Sequence, residues 1–564
     1  MLCCPPESPV PKELPAPERR ATGGFVIRRR ILLGTLLAVL FAVGWWAGRV
    51  RASGDLYSNL DLFIEVLSAV QTNYVDPVEP GPLVEGGMRG MLKELDPYSQ
   101  YLDPREYEAM KSRLAGEFDG VGVLVDSHEG YPIVIAPIEG SPAWDQGVMP
   151  GDLIIRIEGR TTFGLGIPEV SKRLRGEAGT KVALTLVRQG DAEEHEIVLE
   201  RRRIETPAVP QAFVIAPSTG YLRLANFTER AGAEVASAID TLRRAGARSL
   251  ILDLRGNPGG LVDQAVSVAQ QFVPEGSLIV YTKGRAATVG RKFTAGKTRA
   301  ETGWPMIVLV DAGSASASEI VTGALQDLDR ALVLGSTSFG KGTVQDIYPL
   351  RNRGGALKLT TGVYYTASGR SLNKPRKDLA SLLEDEESDG EEPSDSAAAA
   401  PPKPKEFRTT LGRVVFGGGG VTPDLEVKPD SAAPVVRTLE GARVVLRFAN
   451  QWAAGHASAD GASDEEWAAF RTFAIAQKPE VSAAQLDEQR AALTTALQRE
   501  HARRKGSTAA ARVVAERDPV VRKAVEVLRS ARAPRDVFAY GKPAPGKAAA
   551  ATRRIAPHPV RSNH

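Results

Sequence analysis

The sequence predicts a multidomain α/β protein with an N-terminal membrane helix. Three observations carry this. At about 150 residues per domain, 564 residues exceed what one fold uses. One uncharged apolar run stands near the start, and from about residue 204 apolar strand-like runs alternate with helical patterns. A composition of 43% hydrophobic and 25% charged residues is that of a globular protein, which excludes wholesale disorder, collagen and a polytopic membrane protein. The 71 basic and 68 acidic residues nearly cancel to a formal +3, so no overall field argues for nucleic acid as a partner. Both cysteines, Cys3 and Cys4, lie at the extreme N-terminus. The folded part therefore has no disulfide framework, cysteine nucleophile or cysteine-rich zinc site.

Residues 1–30 are Pro-rich and polar and read as a cytoplasmic tail. Ile31 to Gly48 contains 18 residues without a charge, just enough to span the hydrocarbon core as a helix. Arg28, Arg29 and Arg30 precede it, Arg49 and Arg51 follow it, and Trp45 and Trp46 take the interface position. The larger basic cluster on the N-side predicts a single-pass inner-membrane anchor with everything after residue 50 exported. The rival is a cleaved signal peptide; arginines crowd its supposed cleavage site and the run exceeds the usual length.

Residues 55–115 show helical spacing, with Leu60, Phe63, Ile64, Leu67 and Val70 on one face, and are expected to form a helical module. From 116 to 203 short alternating strands separated by Gly-rich turns predict a compact β-rich domain with a helix near Pro168 to Arg175. Residues 204–430 carry strand-like runs at 220–224, 249–254, 278–282, 306–310 and 331–335, which predict βαβ units and a largely parallel, covered sheet. Within them, the segment 374–406 contains EDEESDGEEPSD and PPKPK and is expected to be a disordered acidic insert. Residues 431–530 have helical periodicity, through Trp467, Phe470, Phe473, Leu486, Leu493 and Leu497. Residues 540–564 are basic and rich in Pro and Ala, and are expected to be a disordered tail. No internal repeat is present.

Six histidines are scattered without a neighbouring Ser, Cys or acidic motif, so a histidine-based mechanism is unpromising, and no metal-ligand spacing occurs. The dense stretch is DAGSASASEIVTGALQDLDRALVLGSTSFGKGTVQ, residues 311–345. A strand ending at Asp311 and a helix from about Ser316 to Leu328 place small residues at a strand's C-terminal mouth. Free N–H groups there favour an anion. A serine there is positioned to be a nucleophile whose oxyanion the next N–H holds. Equally, Ser316 and Glu319 fit a capping box, and Ser314 or Ser318 serve as caps. Lys341, in the turn FGKGT, acts as a general base only if burial lowers its pKa by about three units; otherwise it is an exposed lysine. Gln345 is placed to orient it.

SASASE followed 25 residues after Ser316 by the lysine of FGKGTVQ resembles the signature of the carboxyl-terminal processing peptidases, or tail-specific proteases. NYVDPV, LDPYSQYL, LDLRGNPGG, YYTASGRS and GVTPDLEV extend the likeness over residues 60–430 apart from the insert. The resemblance implies a crotonase-like α/β core, a catalytic Ser316–Lys341 dyad assisted by Gln345, and an oxyanion hole from the N–H groups of Ala317 and of Gly259 or Gly260. It implies no metal and no organic cofactor. Asp253, Arg255 and Asn257 read as structural.

The β-rich domain, with SPAWDQGVMPGDLIIRIEGR, resembles the PDZ domain of exported proteases. Gly120, Val121, Gly122 and Val123 would then present N–H groups to the carboxylate of a C-terminal tail, with the following strand pairing to the peptide. Tyr98 stands where histidine is common in the family, a change expected to touch no catalytic group. The implied function is a serine endopeptidase, active in the periplasm or otherwise outside the cytoplasm, that cleaves proteins selected by their C-terminal tails; homo-oligomerisation is compatible with it. The alternative classes are a non-catalytic, membrane-tethered PDZ scaffold and an acyl transferase, the latter without a phosphate-cradling loop.

Overall fold

The computed structural model describes residues 57–541, apart from 189–192, 287–288, 299–300, 352–353, 375–404, 430, 457–458 and 462. The expected anchor at 31–48, the body of the acidic insert and the basic tail lie outside the described residues. No helix among the described residues is long and apolar enough to cross a membrane. The chain divides into two units at Glu94 and Leu95.

In the first unit the described residues form helices over 57–73 and Pro80–Lys93. The helical module expected over 55–115 is therefore shorter than its periodicity suggested. From Leu95 onward the chain belongs to the second unit. There Asp96 accepts the N–H groups of Tyr98 and Ser99 and the Ser99 hydroxyl, a side-chain turn that breaks the helical pattern. Gln100–Leu102 then pairs with Ala356–Thr366 as a strand. The helix Pro104–Ala115 is capped by Asp103 and ends at Gly116 in the left-handed conformation.

The β-rich domain hangs from a two-stranded neck, Glu117–Gly120 paired with Arg202–Glu205. Between them runs an antiparallel sheet in the order Val123–His128, Tyr131–Pro137, Leu153–Ile157, Lys181–Val187, Glu194–Glu200. Period-two alternation sends Val123 and Val125 toward a core containing Val134, Ile154 and Leu199, and leaves Leu124 on the outer face. The helix Ile167–Leu174 closes that core through Val170 and Leu174.

The second sheet has the order Gln211–Ala216, Thr219–Arg223, Ser249–Asp253, Met306–Val310, Leu332–Gly335, Leu425–Glu426, parallel after its first pair. The expected strands at 220–224, 249–254, 306–310 and 331–335 are its centre. Parallel strands need both faces covered. One face packs Leu222, Leu250, Leu252 and Val308 against the helices Ala231–Arg244, Val262–Ala269 and Ala317–Asp327. The other packs Ile251, Ile307, Leu309 and Leu334 against the helix Pro519–Ser530 through Val520, Val521, Ala524, Val527 and Leu528. Full burial stabilises by about 1.5–3 kcal/mol per Val or Leu side chain, so the C-terminal helix is integral to the core.

A third, antiparallel sheet is built on the long strand Ala356–Thr366, which pairs with Thr343–Pro349, Leu278–Gly284 and Gln100–Leu102. The strands at 343–349 and 356–366 carry mixed polar residues with no clean alternation, and the sequence reading did not find them. Among the described residues, five helices between Pro434 and Arg503 enclose a separate core around Phe448, Trp467, Phe470, Leu486 and Leu493. His501 and Glu466 are hydrogen bonded at 2.5 Å inside this region, a structural role for that histidine.

Candidate active site

The strand Met306–Val310 delivers the chain to a tight turn, and the helix Ala317–Asp327 leaves it. Ser316 lies between, with φ 55° and ψ −112°. Such a backbone costs a non-glycine residue about 1–3 kcal/mol and persists only where the surroundings enforce it. The enforcing groups are close at hand. A Cβ at Gly259, itself at φ 101°, would lie 2.8 Å from the Ala315 carbonyl oxygen and 2.8 Å from Ser316 Cβ. Only glycine lets LDLRGNPGG back onto the serine turn.

The three candidate serines separate by partner. Ser314 Oγ donates to Leu254 O at 2.8 Å, and Ser318 Oγ donates to Asn257 O at 2.9 Å. Both hydroxyls tie the turn to the neighbouring glycine loop. Ser316 Oγ makes no cap hydrogen bond. The capping box is only half built: Glu319 accepts the Ser316 N–H at 2.9 Å, while the Glu319 N–H goes to the Ser316 carbonyl. Ser316 is thus the partly exposed serine of the motif, and its hydroxyl has no hydrogen-bond partner among the described residues.

Glu319 is fully buried and joins two turns. Besides Ser316 N–H, its carboxyl accepts Lys341 N–H at 2.9 Å, Gly340 N–H at 2.7 Å and the Ser338 hydroxyl at 2.5 Å. Burial raises its pKa, against the pull of these four donors. Tyr364 repeats the bridge from the other side: its hydroxyl lies 2.6 Å from Lys341 O and 3.2 Å from Ser316 O. Neither residue was singled out from the sequence beyond the capping role of Glu319. The available signal was an acid at the head of the otherwise apolar stretch IVTGAL, which leaves it no polar face to occupy.

Burial pushes the Lys341 ammonium down to about 8, assisted by nearby Lys358 and opposed by Glu319 and Asp96. Lys341 is only partly exposed, contrary to the exposed alternative. Its amine lies 4.6 Å from the ring centroid of Tyr98. Among the described residues no hydrogen bond joins Lys341 Nζ to Ser316 Oγ, so the structure brings the two turns together without joining the two side chains. Gln345 does not orient the lysine here: its amide nitrogen donates to Thr343 Oγ1 at 2.9 Å and to Thr360 Oγ1 at 3.4 Å. Both threonines are its immediate neighbours in the paired strands, which is why they outcompete the lysine.

Tyr98 corrects an expectation. LDPYSQYL folds against the Lys341 turn, with Asp96 also accepting Thr360 Oγ1 at 3.1 Å, so the aromatic position touches the proposed base. Burial, with the charges of Glu319 and Asp96, pushes the Tyr98 hydroxyl up to about 12, and its oxygen is buried without a partner among the described residues. Tyr98→Phe removes that orphan and is expected to be neutral or stabilising by about 1 kcal/mol in urea unfolding. Tyr98→Ala, which lets water reach the amine, is expected to move the basic onset of activity to higher pH. An unchanged pH profile for the alanine variant would exclude the ring from setting the lysine.

Of the expected oxyanion donors, the Gly259 N–H is taken by Asn257 Oδ1 at 2.9 Å. The N–H groups of Gly260 and Ala317 have no acceptor among the described residues. Ala317 N begins the helix, at its positive end. Asp253, Arg255 and Asn257 are structural: Asp253 accepts the Tyr221 hydroxyl and the Arg255 guanidinium, and Asn257 Nδ2 holds Leu224 O. In the β-rich domain Gly122 has φ 75°, and a Cβ there would fall 2.2 Å from Ser141 Cβ. Among the described residues the N–H groups of Val121 and Gly122 have no acceptor, the arrangement a carboxylate requires.

Among the described residues no cluster of His, Cys, Asp and Glu is arranged to hold a metal ion. Residues 218–379 match the peptidase family S41, 133–188 match the PDZ domain, and 49–106 match the N-terminal domain of the activating protease CtpB. A carboxy-terminal-processing protease of Bartonella bacilliformis is 40% identical over 322 residues, 56% of this chain and 73% of that protein. The chain belongs to the carboxy-terminal-processing protease family. Within it, the carboxy-terminal processing protease CtpA of Bacillus subtilis is 33% identical, covering 57% of this chain and 68% of its own length. A carboxyl-terminal-processing protease of Synechocystis is 39% identical, covering 50% and 67%. The protein is accordingly a serine peptidase with a PDZ domain, and the reading as a non-catalytic scaffold falls.

Proposed function

We propose that Ser316 is the nucleophile and Lys341 the general base of this peptidase, acting on exported proteins whose C-terminal tails are held by the PDZ loop Gly120–Val123. Ser316 Oγ attacks the scissile carbonyl while its proton passes to neutral Lys341 Nζ, which returns it to the leaving amine. Water then enters and attacks the acyl carbonyl as its proton passes to the same amine, and the lysine returns that proton to Ser316 Oγ as the ester bond breaks and the carboxylic acid leaves. The Gly260 and Ala317 N–H groups hold the oxyanion. Catalysis requires the lysine amine to close on Ser316 Oγ from its place beside Tyr98. The supporting observation is that Glu319 and Tyr364 each bind the main chain of both residues 316 and 341, next to a serine hydroxyl with no other commitment.

The catalytic form needs the amine unprotonated. kcat/KM is therefore expected to be low at acid pH and to rise through a midpoint near 8. Measured on a reporter with an apolar free C-terminus, a limb above 10 would remove Lys341 as base. Amidation of that terminus should raise KM, and an unaffected KM would remove the carboxylate-binding loop.

We further propose that residues 31–48 anchor the chain in the inner membrane with the catalytic part outside the cytoplasm. The uncharged run and its arginine flank support this.

A further inference from the structure

The helical region after 431 contacts the PDZ domain as well as the protease core. Arg443 pairs with Asp126, Asn450 Nδ2 donates to Pro150 O at 2.5 Å, and Ser507 N–H donates to Glu139 at 2.8 Å. Between these contacts lies a cavity of about 640 Å³. Small-molecule sites are commonly about 300–1,000 Å³. It opens on the outer face of the strand Val123–His128, away from the core face of that strand, and the loop Gly120–Val123 does not line it.

Its apolar wall is Leu124, Trp144 and Met149 from the PDZ domain and Val514 from the helices. Leu124 and Val514 remain 55% and 45% exposed, so neither is used up by packing. The charged lining is one-sided: Arg188, Arg499, Arg503 and Arg504 against the single carboxylate of Glu139. Arg188 is held by Asp152 at 2.8 Å and Arg499 by Glu440 at 2.9 Å, and Arg503 reaches Glu500 at 3.4 Å. Arg504 is exposed and has no acidic partner among the described residues. A ligand with an apolar body and an anionic head fits this division.

The main chain of the wall decides the body's chemistry. On the PDZ side the N–H groups of Gly147, Val148 and Gly151 go to Trp144 O, Ala143 O and Val134 O, and that of Met149 goes to Asp152. The carbonyls of Ile135, Gly147 and Pro150 accept from Arg503, Arg188 and Asn450. A peptide entering the cavity would bury its own N–H and C=O groups unmatched, at about 1–3 kcal/mol each. A hydrocarbon chain carries no such groups. We propose that this cavity binds a single acyl chain bearing an anionic head, supplied as a free fatty acid or by an anionic phospholipid.

The test is equilibrium binding of radiolabelled palmitate to the full chain, with radiolabelled short-chain phosphatidylglycerol, kept monomeric, as the second arm. Saturable binding is expected, and Arg504→Glu and Val514→Glu should each weaken it at least about tenfold while leaving Tm unchanged. Both substitutions fall at exposed or half-exposed positions, so folding is preserved. Palmitate uptake lost in both variants assigns a fatty acid. Phosphatidylglycerol binding lost in both variants without palmitate uptake assigns a phospholipid. The proposal is overturned by absence of saturable binding in both arms, by binding indifferent to both substitutions, or by equal displacement with dodecylamine. Displacement by an apolar peptide with a free C-terminus overturns it too, since the cavity would then be a peptide site.

Discussion

Replacing Ser316 by alanine is expected to lower kcat on a tail-bearing reporter by roughly ten-thousand-fold or more, as loss of the nucleophile does in other serine peptidases. The fold should not notice. Ser316 Oγ holds no cap bond, so alanine leaves no buried donor or acceptor unpaired, and the main-chain bonds from Glu319 and Tyr364 survive. Serine and alanine meet the same steric penalty at φ 55°. The expected result is an inactive protein with unchanged Tm that still binds a C-terminal peptide. Residual cleavage near the wild-type rate, in a preparation free of other peptidases, would move the nucleophile elsewhere.

The second large effect is expected at Glu319. Alanine there strands three N–H groups and the Ser338 hydroxyl in a site closed to water. At about 1–3 kcal/mol for each unpaired group, even with strong non-additivity, the loss reaches the range in which single substitutions are exceptional. Glu319→Ala is expected to unfold or fail to accumulate. Glu319→Gln keeps the volume and one oxygen but turns an NH2 group toward N–H donors. It should fold with lowered Tm and lose at least about a hundredfold in kcat, because a displacement near 1 Å at the reacting groups suffices for that. Wild-type kcat and Tm in the glutamine variant would show that the carboxyl neither holds the two turns nor sets their spacing.

How much of this was legible beforehand differs by residue. The strands at 249–254 and 306–310 were readable because both faces of a parallel sheet are buried, which leaves uninterrupted apolar runs. That the turns of Ser316 and Lys341 meet is implied by motif likeness, whereas what separates Ser316 from Ser314 and Ser318 is their hydrogen-bond partners, which no motif encodes. Tyr98 and Tyr364 were not readable. They reach the site from strands and turns more than 200 and more than 20 residues away from Lys341, and long-range pairing leaves no local periodicity. Gln345 was assigned to the lysine by proximity in sequence, but a strand residue also meets the residue opposite it, and Thr360 is that residue. Glu319 was readable as a cap and misjudged in scope, because a capping pattern does not reveal a second turn docking on the same carboxylate.

The helix Pro519–Ser530 lies well outside the stretch matched to the peptidase family, yet it seals one side of that family's sheet. Asp518 at its head both caps it and grips Arg255 of the glycine loop behind Ser316. A border drawn by homology is therefore not a border of folding. Anyone trimming this enzyme to its recognisable half would uncover a greasy plane of branched side chains, and should look for the product in inclusion bodies and not in the supernatant.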